Sequence, residues 1–125
     1  MPSKILIAAD NVTQVERLTA PFAEQNYEIG TAGNEAETFE KVKIFMPDLI
    51  LLDMMNADEV CEKLKSDSLT QGIMILMVAA FSELDDIEQA VNAGCDDYLS
   101  KPVNKFELLK RVENMLRLRS VMNNL

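Results

Sequence analysis

The chain has 125 residues, enough for one domain with a buried core, and its 48% hydrophobic and 26% charged residues are typical of a globular protein. Its net charge of −9 argues against direct binding to nucleic acid or to an anionic membrane, because both require basic protein surfaces. The chain contains no histidine, which excludes histidine-based catalysis and histidine metal ligands.

The two cysteines and the lengths of the apolar runs indicate the cellular environment of the protein. Cys61 and Cys95 have neither CxxC nor zinc-site spacing, and we interpret both as small buried hydrophobic residues in a reduced, cytoplasmic protein. No apolar run approaches the roughly 20 residues that a membrane span requires. We therefore expect a soluble protein with no membrane partner.

The first third of the chain predicts two strands and two helices. A short apolar strand over residues 4–8 precedes a helix from about Thr13, its expected N-cap, to about residue 25, with a kink at Pro21. A second strand over residues 27–31 follows, and Asn34 then caps a helix that Pro47 terminates after about residue 45. The residues that we expect this helix to bury are Ala36, Phe39 and Val42.

The run over residues 49–52 is the most informative stretch of the sequence. Its four aliphatic residues are too few for a helix and are apolar on both faces, which predicts a buried central strand of a parallel sheet. Asp53 ends this run, at the place where open α/β sheets hold their ligands. Alternatively, Asp53 only caps the helix that follows.

The rest of the chain continues the alternation of strands and helices. A helix over about residues 57–65 precedes an apolar strand over residues 73–79, and Ser82 opens a helix that ends at Gly94. A short strand over residues 97–100 comes before a last helix capped by Asn104. Strand followed by helix, repeated five times, predicts an α/β fold with a doubly wound parallel sheet covered by helices on both faces.

Residues that are distant in sequence lie at the ends of these strands. Asp10, Asp53, the pair Ala79–Ala80 and Lys101 each stand at or just after the end of a predicted strand. Because the carboxyl ends of parallel strands share one edge of a sheet, we expect these residues to meet there. Two carboxylates beside a lysine suit Mg²⁺, and a carboxylate can also act as a nucleophile and become an acyl phosphate.

Three motifs carry a resemblance to a known family: KILIAAD at the first strand, PDLILLDMM at the third and GCDDYLSKP at the fifth. With them, the chain resembles the receiver domain of bacterial two-component response regulators over essentially all of its length. It is similar to receivers that precede another signalling domain, such as a diguanylate cyclase. The resemblance implies a flavodoxin-like (βα)5 fold with strand order 2-1-3-4-5, and no enzyme activity beyond self-phosphorylation and self-dephosphorylation.

The resemblance also implies a role for each matching residue. Asp53 would accept a phosphoryl group from a histidine kinase or phosphotransfer protein, and Lys101 would bind that group. Asp10, the Asp53 side chain and the backbone carbonyl of Met55 would hold Mg²⁺. Tyr98 would be an aromatic switch whose exposure changes on activation, or alternatively an ordinary half-buried tyrosine.

The sequence departs from the family pattern at three places. Ala9 replaces one of the two acids that usually follow the first strand, and Ala79 replaces the Ser or Thr whose hydroxyl binds the phosphoryl group. The loop after Asp53 lacks the usual Pro and Gly and is about four residues short. The Lys101–Pro102 bond is expected to be cis, as in the family.

These departures leave two functional classes open. In the first, the remaining residues suffice for phosphorylation of Asp53. In the second, the chain is a degenerate receiver that acts as a phosphorylation-independent interaction or dimerisation module. An unrelated flavodoxin-like protein is a third reading, but the chain has no glycine-rich phosphate loop to support it.

The last helix, over about residues 104–125, carries two apolar stripes. We expect the first to face the sheet; it consists of Phe106, Leu109, Val112 and Leu116. The second has near-heptad spacing and consists of Leu108, Met115, Leu118, Met122 and Leu125. This second stripe predicts a homodimer seam or a helix that leads into an output domain, unless its residues only cap the bottom of the core.

Overall fold

The computed structural model describes residues 2–81 and 84–125 and shows five strands that alternate with helices. The strands are β1 (Lys4–Ala9), β2 (Glu28–Ala32), β3 (Leu49–Asp53), β4 (Met74–Ala79) and β5 (Asp97–Ser100). The helices are α1 (Val12–Thr19), α2 (Glu35–Phe45), α3 (Ala57–Ser66), α4 (Leu84–Asn92) and α5 (Lys105–Asn123). A short 3-10 helix at Ala20–Phe22 follows α1.

The strands form one parallel sheet in the order β2-β1-β3-β4-β5, which confirms the predicted fold and strand order. Two features of the register position the site. Ala9 of β1 pairs with Asp53 of β3, and Ala79 of β4 pairs with Ser100 of β5. The carboxyl ends of the four strands β1, β3, β4 and β5 therefore lie along one edge.

The sheet buries residues on both of its faces. In β3 the four residues Leu49 to Leu52 are all fully buried and alternate between two hydrophobic clusters, one on each face. Each buried aliphatic side chain contributes about 1.5–3 kcal/mol relative to an exposed one. The continuous apolar run that predicted a central strand thus reflects burial on both faces of the sheet.

The start and end of α1 differ from the prediction. Its N-cap is Asn11 and not Thr13, because the Asn11 Oδ1 atom accepts a hydrogen bond of 2.9 Å from the Gln14 amide. The helix also ends early, at Thr19, and Pro21 lies in the 3-10 helix rather than at a kink within a longer helix. Since proline has no N–H group, it cannot continue the α-helical hydrogen bonds.

The predicted bounds of α2 are confirmed, but one of its expected core residues is wrong. Asn34 caps this helix, as expected, by accepting a hydrogen bond of 2.8 Å from the Glu37 amide. Ala36 is exposed, whereas Thr38 is fully buried. Thr38 is tolerated in the core because its hydroxyl group donates a hydrogen bond of 2.7 Å to the Asn34 carbonyl.

The features around α4 and β5 largely agree with the sequence. The expected helix start at Ser82 lies outside the described residues, and α4 is described from Leu84 onward. Gly94 has a φ angle of +95°, as expected for the residue after a helix end. The Lys101–Pro102 bond is cis, which confirms that prediction.

The apolar stripes of α5 divide differently from the prediction. Phe106 is 77% exposed, so its assignment to the face that contacts the sheet was wrong. Leu108 and Met115 are buried in the core with Val112, since these three residues recur on one side of the helix. Leu118 is 52% exposed and remains outside the core. Although α5 has 19 residues, no helix in the described ranges is apolar and long enough to cross a membrane.

Candidate functional site

Two acidic residues lie on adjacent strands at the carboxyl edge of the sheet. Asp53 is the last residue of β3 and is only 7% exposed. Asp10 directly follows Ala9, the residue of β1 that pairs with Asp53, and Asp10 is exposed. The sheet register thus brings together the two carboxylates that the sequence singled out, one buried and one facing solvent.

Lys101 contacts Asp53 across the end of β4. Its Nζ atom lies 2.9 Å from the Asp53 Oδ1 atom. The loop that carries Lys101 is fixed by its own backbone, because the Lys101 amide donates a hydrogen bond of 2.9 Å to the Ala79 carbonyl. The lysine ammonium is therefore held at the carboxylate by the pairing of β5 with β4.

The second oxygen of Asp53 is buried and has no hydrogen-bond partner among the described residues. A buried polar atom without a partner costs about 1–3 kcal/mol, so a bound water, an ion or a catalytic role is expected at such an atom. A hard cation, which prefers oxygen ligands, meets this requirement. The Asp53 side chain is accordingly suited to hold Mg²⁺ with one oxygen while Lys101 binds the other.

Asp10 binds the loop that follows β3. Its Oδ2 atom accepts a hydrogen bond of 2.9 Å from the Met55 amide, which places the Met55 backbone beside Asp10. Two carboxylates with a nearby backbone carbonyl fit Mg²⁺, which often binds one or two carboxylates and completes its coordination with water and phosphate oxygens. In the described ranges no cluster of three or more acidic or cysteine residues could hold a metal, in line with the loss of an acid at Ala9.

A polar network that the sequence did not indicate holds this loop from the other side. The Asn56 side-chain amide donates a hydrogen bond to the Glu35 Oε2 atom at the start of α2. The Lys63 Nζ atom of α3 lies 3.0 Å from the Glu35 Oε1 atom. Glu35 and Asn56 are 21 residues apart, so no local sequence pattern could have predicted this contact.

Ala79 is half-buried at the end of β4 and offers no side-chain donor. A cavity of about 180 Å³ lies next to it, lined in part by Met54, Asp58 and Asp86. The pKa of Asp58 is raised above its usual value, first because burial removes water from the carboxylate and second because Asp86 repels its negative charge. This side of the site is therefore both roomy and acidic.

Tyr98 lies in β5 and is half-buried. Its ring makes an edge-to-face contact with Phe81, with the ring centroids 5.3 Å apart. Phe81 was not identified from the sequence, because it lies outside any regular element and its pairing depends on the fold. The contact gives the Tyr98 ring a defined position without excluding it from solvent.

A groove of about 840 Å³ opens beside Asp53 and Lys101 on the α1 side. Arg17 and Lys105 lie along it, together with apolar residues that include Leu18. The basic residues contrast with the net charge of −9 of the whole chain. The groove therefore places two basic side chains on the same side of the domain as Asp53 and Lys101.

A five-stranded parallel sheet in the order 2-1-3-4-5, with two aspartates and a lysine at its carboxyl edge, defines a flavodoxin-like α/β domain with a polar site at the strand ends. Comparison with known families agrees with this class: residues 5–113 match the model of the response regulator receiver domain. The chain therefore belongs to the response regulator receiver domains of two-component systems, as the resemblance predicted. Receiver domains typically bind Mg²⁺ at their phosphorylation site and interact with histidine kinases or phosphotransfer proteins.

Individual relatives support the assignment. The chain is 32% identical over 121 residues to the DNA-binding response regulator MtrA of Mycobacterium tuberculosis, covering 94% of this chain and 52% of that protein. It is 31% identical to the response regulator PleD of Caulobacter vibrioides over 100% of this chain and 28% of that protein. The chain thus spans about half the length of MtrA and less of PleD.

A solved structure of similar size shows the same fold. It is the CheY-like response regulator receiver domain protein of Methanospirillum hungatei, with a TM-score of 0.86 and 26% sequence identity. The match covers 98% of this chain and 99% of the other. The fold is thus that of a receiver domain across nearly the whole chain.

Proposed function

We propose that Asp53 accepts a phosphoryl group from a histidine kinase or phosphotransfer protein in an Mg²⁺-dependent reaction, and that this controls a partner or output domain. One observation carries the proposal. Asp53 is held by Lys101 through one oxygen, at 2.9 Å, while its other buried oxygen has no partner in the described part of the chain. In this arrangement Asp53 is the nucleophile, the Lys101 ammonium can bind the incoming phosphoryl oxygens, and the unpaired Asp53 oxygen is available as a ligand for Mg²⁺.

The transfer consists of one displacement at phosphorus. A carboxylate oxygen of Asp53 forms a bond to phosphorus while the bond from phosphorus to the donor's leaving atom breaks, and the donor keeps that electron pair. Lys101 then binds the phosphoryl oxygens through its positive charge. Bound Mg²⁺ supplies charge neutralisation between carboxylates and phosphoryl group, and Asp10, Asp53 and the Met55 carbonyl are the residues that would hold it.

The activity in this proposal is limited to the chain itself. The domain catalyses its own phosphorylation and the hydrolysis of its own phosphoaspartate, and it turns over no separate substrate. The groove beside Asp53 admits the donor, since its basic residues Arg17 and Lys105 favour an anionic group. The two free cysteines, Cys61 and Cys95, support a cytoplasmic location.

A second candidate function is a phosphorylation-independent interaction or dimerisation module. Ala79 favours it, because a hydrogen bond to the phosphoryl group, worth about 1.5–3 kcal/mol, is missing. The exposed apolar residues at the end of α5, among them Leu118 and Met122, also favour it. In either case we propose that α5 leads into an output domain or forms a homodimer seam, with no direct contact to nucleic acid or membrane.

Intact mass spectrometry after incubation with acetyl phosphate and Mg²⁺ separates the two functions. We expect one phosphate adduct in the unaltered chain, and none in Asp53→Asn or after addition of EDTA. Asp53→Asn is a suitable control because it keeps the shape of the side chain while replacing the nucleophilic carboxylate with an uncharged amide. A folded chain that forms no adduct at high donor concentration would contradict the proposal and favour the interaction module.

A further inference from the structure

We propose that Glu35 is a positioning residue of this site: through Asn56 it holds the loop after Asp53 so that the Met55 amide stays on Asp10. The inference rests on the proposed phosphorylation of Asp53. It assigns a role in that site to Glu35, which lies outside the carboxyl edge of the sheet. We refer to the contact between Glu35 and Asn56 as the loop clamp.

The use of the Asn56 side chain is unusual within this chain. Asn11, Asn34 and Asn104 each occupy an N-cap position and each accepts a hydrogen bond from the first turn of its own helix. Asn56 also occupies an N-cap position, that of α3, but its side chain makes no capping hydrogen bond. The Asn56 backbone, with φ −102° and ψ 32°, lacks the extended conformation of the other three capping residues, and its side chain binds Glu35 instead of its own helix.

Glu35 is held in place from both sides. One of its carboxylate oxygens accepts from Asn56, and the other lies 3.0 Å from the Lys63 Nζ atom. Lys63 also lies 3.3 Å from Glu59 on its own helix. The carboxylate of Glu35 therefore links α2 to the beginning of α3, and the pKa of Lys63 is raised, first by its hydrogen bond to Glu35.

The loop is anchored at its ends, because Met54 and Ala57 are buried and the Ala57 amide donates a hydrogen bond of 3.1 Å to the Met54 carbonyl, but Met55 between them is exposed. The Met55 side chain is fully exposed, so no packing holds this residue. Its backbone amide nevertheless reaches the Asp10 Oδ2 atom at 2.9 Å. The residue that follows, Asn56, is the one that Glu35 binds. The loop is thus tied at two adjacent residues, to Asp10 on β1 and to Glu35 on α2.

This arrangement predicts how the clamp affects cation binding. While Met55 stays on Asp10, the Asp10 carboxylate and the Met55 backbone keep a fixed relation to Asp53. If the clamp is lost, the exposed Met55 backbone shifts relative to Asp10, and the two potential ligands lose their fixed relation to each other. The consequence is a higher Mg²⁺ requirement for phosphorylation, with little change in rate once Mg²⁺ is saturating.

Three variants test the clamp. Glu35→Ala removes the carboxylate that accepts the hydrogen bond from Asn56. Asn56→Ser introduces a shorter side chain that does not extend to Glu35, while retaining a residue type that can cap a helix. Glu35→Gln keeps an oxygen that can accept from Asn56 and should behave like the unaltered chain. Glu59→Ala is the matched control, because Glu59 binds Lys63 but not the loop.

The first measurement is the hydrogen exchange rate of the Met55 amide by NMR, which requires neither metal nor phosphate. We expect exchange to become roughly fivefold faster in Glu35→Ala and Asn56→Ser, the change expected for loss of one hydrogen bond. Glu35→Gln and Glu59→Ala should leave the rate unchanged. Unchanged Met55 exchange in Glu35→Ala would overturn the proposal.

The second measurement is the rate of adduct formation with acetyl phosphate as a function of Mg²⁺ concentration. We expect the half-saturating Mg²⁺ concentration to rise several-fold in Glu35→Ala and Asn56→Ser but not in Glu59→Ala. Faster Met55 exchange with an unaltered Mg²⁺ requirement would overturn the positioning role. If the unaltered chain forms no adduct while Met55 exchange responds as expected, the clamp is supported and the proposed phosphorylation fails.

Discussion

At the scale of single residues, Ala79 occupies the position where a hydroxyl group is expected from the resemblance to receiver domains. It ends β4, and the cavity of about 180 Å³ beside it has room for a larger side chain. A hydroxyl group there would supply a donor to a phosphoryl group on Asp53. The edge-to-face pair of Tyr98 and Phe81 lies on the same side of the site and can report on the change.

We predict that Ala79→Thr strengthens the effect of phosphorylation on Tyr98. The new hydroxyl would bind the phosphoryl group and pull the end of β4 toward it. Phe81 lies two residues after β4, so this movement would also shift Phe81 against the Tyr98 ring. The measurement is the change in the Tyr98 ring signals by NMR on addition of acetyl phosphate and Mg²⁺. Ala79→Val is the matched control, since it has nearly the same shape and lacks the hydroxyl. An equal response in both variants would contradict the prediction.

Met46 shows a second effect at a single residue. The sequence predicted that Pro47 would exclude helical geometry at Met46, and the residue does leave the helix, with a φ angle of +53°. This left-handed conformation is costly for a residue with a side chain and is usually taken by glycine. The Met46 side chain is 71% exposed, so little burial compensates for the strain.

We therefore predict that Met46→Gly raises the free energy of unfolding by about 1 kcal/mol, because glycine adopts positive φ without a steric cost. Urea denaturation measures the effect as a higher midpoint at unchanged slope. Met46→Ala serves as the control, since alanine keeps the strain while removing the same exposed side chain. A gain in stability as large in Met46→Ala would show that the side chain, and not the backbone, is responsible.

The limits of sequence reasoning are clearest at this scale. Asp53 and Lys101 could be identified because each ends a run that reads as a strand, and parallel strands bring their ends together. Glu35 could not be identified, because its contact with Asn56 depends on how α2 and α3 lie in space. The N-cap at Asn11 was missed because Thr13, two residues later, is also a common capping residue, although asparagine is the more favourable of the two.

At the scale of single elements, α5 depends on one tertiary anchor near its end. The Arg119 guanidinium lies 2.8 Å from the Asp48 Oδ1 atom and also donates to the Gly72 carbonyl at 3.2 Å. Asp48 in turn accepts from the Lys4 amide at the start of β1. Arg119 thus ties the last turns of the helix to the loops that precede β3 and β4.

We predict that Arg119→Ala lowers the free energy of unfolding by about 1 kcal/mol and increases hydrogen exchange in the last turns of α5. Arg117→Ala is the matched control, because among the described residues Arg117 pairs only with the exposed Glu113 on the same helix. It should change stability by less than about 0.5 kcal/mol. Equal exchange in the two variants would show that the anchor does not hold the helix.

Elements whose sequence pattern has one structural interpretation were predicted well, whereas elements whose pattern allows two interpretations were not. The strands β3 and β4 consist of continuous apolar residues, a pattern that burial on both faces produces directly. In α5, apolar residues occupy more than one side of the helix, so the pattern alone could not decide which side faces the sheet. Packing selected the line through Leu108, Val112 and Met115.

At the scale of the whole molecule, the chain combines a strongly negative net charge with a small apolar patch at the end of α5. The net charge of −9 opposes non-specific association between copies of the chain. The end of α5 nevertheless exposes Leu118, Val121 and Met122 along one flank, and Leu125, which follows the helix, is also fully exposed. Such a cluster is typical of an interaction surface rather than of a solvated helix face.

We predict that any homodimer of this chain is lost in the double variant Leu118→Glu with Met122→Glu. Both side chains are more than half exposed, at 52% and 56%, so the substitutions should leave the fold intact. Two new charges on the flank would have to be desolvated in a dimer, which is unfavourable without partners. Light scattering measures the mass, and circular dichroism verifies the fold.

The matched control for this prediction is Ser120→Glu with Asn124→Glu, which adds the same two charges to exposed positions outside the apolar flank. If the dimer arises from the flank, the control keeps its mass while the first variant becomes monomeric. If both variants become monomeric, general charge repulsion explains the effect and the flank is not the seam. An unchanged mass in the first variant would exclude the end of α5 as the dimer surface, because no dimer could bury two unpaired glutamates at its centre without a measurable loss of affinity.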